Sequence, residues 1–292
     1  MIRTLLSIYL LTNLSFPSEG SQLGVLSYNE IGIPIINLEI ENKKLSLMLD
    51  TGSSEGFHLE NSNIKKIFNN ESLDVKNKTP YRYIDILGNE NNVTSWTVDK
   101  LSISNVIFNN VKIVELQPWG LNIGEKIIQT EVVGLGIFYE KKIILDFKKN
   151  KLIILKDTPE YTKNWSSYPI EKTESGLKIT AYAQNKPLNF IIDTAASHSI
   201  VFSSRLPNKN KHLGCNVISS EALSSDCNVQ NILIRDIKGN IQNEYAIAIN
   251  SLPPKNIEFD GLLGMSFMKN KIILIDLAKK VLYIQSWFYE KK

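Results

Sequence analysis

Two segments of this chain carry an aspartate between an apolar triplet and a threonine followed by small residues. They are Leu47-Met48-Leu49-Asp50-Thr51-Gly52-Ser53-Ser54 and Phe190-Ile191-Ile192-Asp193-Thr194-Ala195-Ala196-Ser197. An apolar strand that runs into such a turn delivers a carboxylate to the end of a buried strand. Gly52 can adopt the open backbone angles that bring its N–H to a carboxylate oxygen, and Ala195 is small enough for the same approach. The hydroxyls of Thr51 and Thr194 can hydrogen-bond from one loop to the other. Two carboxylates brought face to face cannot both ionise easily, so the pair holds one proton between them. One member then takes a proton from a water attacking an amide carbonyl while the other donates one. This chemistry needs no cofactor, no metal and no covalent nucleophile. Ser53 can offer a hydroxyl to Asp50 where Ala196 offers Asp193 none, so the charge is expected on Asp50 and the proton on Asp193.

The elements that must position these loops are also written twice. The aspartates are 193 − 50 = 143 positions apart. Downstream, Val133-Gly134-Leu135-Gly136 precedes an apolar segment ending at Asp146, and Gly261-Leu262-Leu263-Gly264 precedes one ending at Asp276, an offset of 276 − 146 = 130. The second copy is therefore shorter between its landmarks, and two landmarks in the same order mark an internal repeat. Residues 159–169 read as a linker between the copies. Short apolar runs at 35–40 and 45–49 flank the polar turn 41–44, and 81–87 and 93–103 flank 88–92, both hairpin signals. Helical candidates are few: 64–68 and the short stretches after Gly136 and Gly264. The texture is all-β, in two β-rich lobes. Asp146 and Asp276 are expected to end strands or to serve turns.

The loop at 48–54 and the segment Gly261-Leu262-Leu263-Gly264-Met265-Ser266-Phe267 together resemble the retropepsin-like (clan AA) aspartic proteases, with both half-sites in one chain. The likeness covers roughly residues 25–290 and is specific at these landmarks. It implies two closed β-barrel lobes of the retropepsin or pepsin kind with an active-site cleft between them. It implies an aspartic endopeptidase with Asp50 and Asp193 catalytic, loops supported by Thr51, Gly52, Ser53, Thr194 and Ala195, and a substrate-covering flap that includes Tyr81, Tyr83 and Gly88. A bacterial type with a leader is the form it suggests. Asp-Thr-Ala in place of Asp-Thr-Gly, and the unrecognisable middle of the second copy, depart from the family pattern. They motivate a second expectation: a peptide-binding protein whose second site has decayed. A third pairs Asp50 with Asp50 of another molecule.

Composition is compatible with this. A hydrophobic share of 43% and a charged share of 22% are ordinary for a globular chain, and a net charge of +3 of mixed sign gives no footprint for nucleic acid. Met1 to Arg3 is a short positive start and Leu5 to Leu11 an apolar run too short to span a bilayer, the form of a signal peptide over residues 1–20. The organisation expected is a first lobe at 21–158, the linker at 159–169 and a second lobe at 170–292. Export to the periplasm or beyond the cell follows, with no membrane span in the mature chain. In an exported chain Cys215 and Cys227, 227 − 215 = 12 positions apart, are expected to form a disulfide, with two unpaired buried thiols as the alternative. The expected partner is a peptide or protein substrate, and the expected state a monomer, with the homodimer as the alternative.

Overall fold

The computed structural model describes residues 20–67, 78–84, 90–116, 130–183, 186–206, 213–214, 227–249 and 258–285. Residues 1–19 of the expected leader, Gly88 of the expected flap and Cys215 of the expected disulfide lie outside them.

The first half contributes β1 (Gly20–Tyr28), β2 (Pro34–Ile40), β3 (Lys43–Asp50), β4 (Phe57–Leu59) and helix α1 (Asn61–Ile67). It continues with β5 (Thr79–Ile84), β6 (Glu90–Ile103), β7 (Val106–Glu115), β8 (Val132–Gly134), β9 (Lys142–Asp146) and β10 (Lys151–Leu155). The second half contributes β11 (Ser166–Thr173), β12 (Gly176–Ala183), β13 (Lys186–Ile192), β14 (Ser199–Phe202), β15 (Leu213–Gly214) and β16 (Cys227–Arg235). After them come β17 (Ile241–Ile249), β18 (Gly261–Leu263), the one-turn helix α2 (Met265–Met268), β19 (Ile272–Asp276) and β20 (Val281–Gln285). Residues 159–169 hold a 3-10 turn at Glu160–Asn164 and the first part of β11.

The strands close into two barrels of the same design. In the first, the hydrogen-bonded circuit runs β2–β3–β8–β4–β7–β6 and returns to β2. In the second it runs β12–β13–β18–β14–β17–β16 and returns to β12. Closure removes the exposed edges that an open sheet of this size would leave. Alternation supplies the filling: in β2 Pro34, Ile36, Leu38 and Ile40 are buried while Asn37 and Glu39 face outward, and Leu47 and Leu49 of β3 point into the same core. The turn between β2 and β3 is tighter than the sequence suggests. Glu41 and Asn42 both adopt positive φ, +45° and +63°, so two residues suffice and Lys43 already pairs with Ile40.

A third sheet joins the barrels, in the order β1–β10–β9–β19–β20–β11, antiparallel throughout. Its centre is where β9 meets β19 with Ile144 opposite Leu274. These two residues are 274 − 144 = 130 positions apart, the offset of the second repeat landmark, so the two-fold relation of the halves passes through this pair. Both central strands are buried on both faces, which accounts for their unbroken apolar runs. Asp146 and Asp276 end them as turn acceptors: Asp146 takes the N–H groups of Lys148 and Lys149, and Asp276 that of Lys279.

Candidate active site

Asp50 is the last residue of β3, and Asp193 follows directly on β13. Each of these strands has a parallel neighbour, β8 or β18, drawn from the second landmark of its repeat. Gly134, the last residue of β8, and Gly264, the residue after β18, lie against the returning loop. A Cβ on Gly134 would strike the carbonyl of Glu55, and one on Gly264 the carbonyls of Ala196 and His198. The following turn then ties back, Leu135 N–H to Ser53 O at 2.9 Å and Met265 N–H to Ala196 O at 2.7 Å. The glycines of the second landmark are thus what allow the aspartate loops to fold back so closely.

The two loops interlock through their threonines. Thr51 donates its hydroxyl to Ile192 O (2.7 Å) and accepts the Thr194 N–H (3.1 Å). Thr194 donates its hydroxyl to Leu49 O (2.5 Å) and accepts the Thr51 N–H (3.0 Å). Both side chains are fully buried. The carboxylates are cradled alike: Asp50 Oδ1 accepts from Gly52 N–H at 2.8 Å and Ser53 N–H at 3.2 Å, and Asp193 Oδ1 from Ala195 N–H at 2.8 Å. Ala195 therefore gives its aspartate the same contact that Gly52 gives.

Asp50 and Asp193 are within hydrogen-bonding reach of each other. Burial raises both carboxyls above the ordinary aspartate value of 3.8, and the charge of Asp193 pushes Asp50 further up. The protonation of one therefore depends on that of the other, and titration belongs to the pair and not to either residue. The expected bias of charge toward Asp50 loses its basis, because the Ser53 hydroxyl does not face Asp50. It lies 2.9 Å from Nε2 of His58 and accepts the Glu55 N–H at 3.3 Å, so Ser53 supports Asp50 through its backbone alone. The largely buried imidazole of His58 is held down to about 4, by burial first and by neighbouring Lys112 second.

Behind the second loop the support is different. Ser199 Oγ takes the Gly264 N–H at 3.0 Å and meets Ser266 Oγ at 3.2 Å, and Ser266 donates to the buried carboxylate of Glu244 at 2.6 Å. His58, Ser199, Ser266 and Glu244 escape a reading of the sequence, since each finds its partner only in the fold. Glu244 leaves a trace, an acid at an inward position of the alternation in β17.

The expected flap is a hairpin: β5 pairs with β6 from Thr79↔Ser95 to Ile84↔Glu90. The phenol of Tyr81, raised above its usual range by burial and by Glu55, hydrogen-bonds Glu55, and Lys112 sits 4.1 Å over its ring. Tyr83 lies on β5 opposite Asn91. Glu55 also pairs with Lys112 at 3.2 Å. A cavity of about 800 Å³ opens beside the loops, lined by residues 54–56, Lys112 and Tyr139 on one wall and by the β11–β12 turn on the other. Among the described residues there is no cluster of three or more His, Cys, Asp or Glu able to hold a metal ion, and no helix long and apolar enough to cross a membrane.

No family model matches the chain, and a search of curated proteins finds no match. Among solved structures the chain is similar to an aspartic proteinase from Irpex lacteus, at 12% identity over 93% of this chain and 98% of that one, with a TM-score of 0.52. It is similar to the same degree to Basic 7S globulin from soybean, at 10% identity over 92% and 95%, TM-score 0.52. The architecture is thus a pepsin-like pair of β-barrel lobes. At such identities the likeness shows the fold, and the chemistry has to be argued from the residues.

Proposed function

We propose that the protein is an aspartic endopeptidase, hydrolysing a peptide bond with water activated between Asp50 and Asp193. The observation that carries this reading is the buried carboxylate pair on two interlocked, equally cradled loops. The ionised member accepts a proton from water as the water oxygen bonds to the carbonyl carbon, and the protonated member gives its proton to the carbonyl oxygen. The C–N bond then breaks as the first member passes its new proton to the amine nitrogen and a hydroxyl of the tetrahedral intermediate returns a proton to the second. The four threonine hydrogen bonds hold the carboxyl groups in register through these steps, with no reorganisation required. A peptide or protein segment is the substrate, with the β5–β6 hairpin over it. Residues 1–20 direct export, and Cys215 and Cys227 pair in the oxidising compartment.

The test is peptide cleavage by the wild type and by D50N and D193N. Turnover that either substitution abolishes supports the reading; turnover that survives both sinks it. A second reading, a peptide-binding protein without turnover, draws on Ala195 and on the equal likeness to a globulin. The unaltered Ala195 contact weakens its first support. Saturable peptide binding with no cleavage by the wild type is the outcome that would favour it.

A further inference from the structure

Each half begins with a hairpin leading toward its aspartate strand, β1–β2 in the first and β11–β12 in the second. Both turns use a glycine in left-handed backbone, Gly32 at φ +80° and Gly176 at φ +104°. Their surroundings differ. Among the described residues nothing lies within 4 Å of the place a Cβ would take on Gly32. On Gly176 a Cβ would fall on the carbonyl oxygen of Gly52, 2.7 Å from its carbonyl carbon and 2.8 Å from its Cα. Gly176 is therefore in van der Waals contact with the backbone of the first aspartate loop.

Gly52 itself faces the carboxylates: a Cβ there would lie 3.0 Å from Asp193 Cγ and 3.1 Å from Asp50 Oδ1. The tip of the second hairpin thus stands at the rim of the pair, beside Gly52. It is braced there. Thr173 donates to Gly176 O at 3.1 Å across the turn, and Glu171 and Lys178 pair at 2.9 Å across the strands. Lys172 places its ammonium 3.5 Å from the ring centre of Tyr139, whose hydroxyl donates to Ser54 O at 2.5 Å. This last contact ties the second lobe's hairpin to the first lobe's loop.

An extended peptide crossing the carboxylates advances about 3.3–3.6 Å per residue and needs open backbone partners on both sides. With Gly176 packed on the Gly52 backbone, an extended chain passing the carboxylates meets the hairpin tip beside the first aspartate loop. We propose that the β11–β12 tip is a wall ending the cleft beside Gly52, so that the bond cut lies close to one end of the substrate and a short end fragment is released. This rests on the catalytic reading of Asp50 and Asp193 and narrows it to peptides presented by a terminus.

The experiment is a length series: one core peptide, extended residue by residue on either side, with products identified by mass spectrometry. Extension on one side is expected to leave kcat/KM unchanged, and extension past about two residues on the other to lower it at least tenfold. Loosening the tip with the double substitution K172A/T173A should shrink that length penalty, with melting curves to verify that the variant is folded. Cleavage in mid-chain of peptides long on both sides, at the rate of the short ones, overturns the wall and leaves the catalytic reading standing. No turnover of any peptide overturns the catalytic reading and the wall with it.

Discussion

The first aspartate loop and the second present their carboxyls with the same backbone donors and the same crossed threonines, yet they are buttressed by unrelated side chains. Behind Asp50, Ser53 leans on a neutral His58, flanked by the Glu55–Lys112 pair. Behind Asp193, Ser199 and Ser266 lean on the buried carboxylate of Glu244. What the repeat retains is the part that touches the paired carboxyls or crosses between lobes; what has diverged needs only to stiffen one lobe. The same contrast holds at the hairpins: among the described residues nothing packs against the Cβ position of Gly32, whereas Gly176 rests on the opposite half.

The strongest challenge to this equivalence is at the carboxylates. D50N and D193N are each expected to lower kcat by about 10²–10⁴-fold, the span of general acid–base catalysis. A D193N enzyme with near-normal turnover would break the symmetry and leave Asp50 as the sole catalytic member. Next are the threonines. Thr51→Ala and Thr194→Ala each remove a buried hydroxyl making two hydrogen bonds and strand the opposite N–H and a strand carbonyl. Each should cost about 2–5 kcal/mol by urea denaturation, with equal losses for the two.

The buttresses should separate by pH. The His58 pKa is depressed to about 4, so its contribution to stability is present above the unfolded value of 6.5 and is lost as pH falls from there through 4. H58Q should flatten that slope, a difference on the order of 3 kcal/mol between pH 7 and pH 4, whereas E244Q should leave it in place. The carboxylate pair works in the opposite sense. Its raised pKa values give stability that is full below 3.8 and is lost as pH rises through the folded values. D50N should therefore raise Tm at neutral pH, by a few degrees for each kcal/mol on the order usual for a domain of this size, and change it little at pH 3. The smallest effect is expected at Ala195, where Ala195→Gly should shift stability by less than about 1 kcal/mol and turnover by less than about twofold. Gly52→Ala, which crowds Asp193, should do more.

Much of the fold was legible because it repeats. Apolar triplets before Asp50 and Asp193, glycines at Gly134 and Gly264, and runs ending at Asp146 and Asp276 recur in one order, and strand alternation is a local property of the chain. These alone determined the carboxylate pair, the all-β texture and the two halves. Where the Ser53 hydroxyl points was not determined, because a hydroxyl turns toward whichever partner the fold supplies, here His58. Nor was the wall at Gly176, whose contact with Gly52 spans 176 − 52 = 124 positions. Such contacts depend on how two barrels dock through β9 and β19, and no local period in the sequence encodes the distance between surfaces that meet only when both lobes have closed.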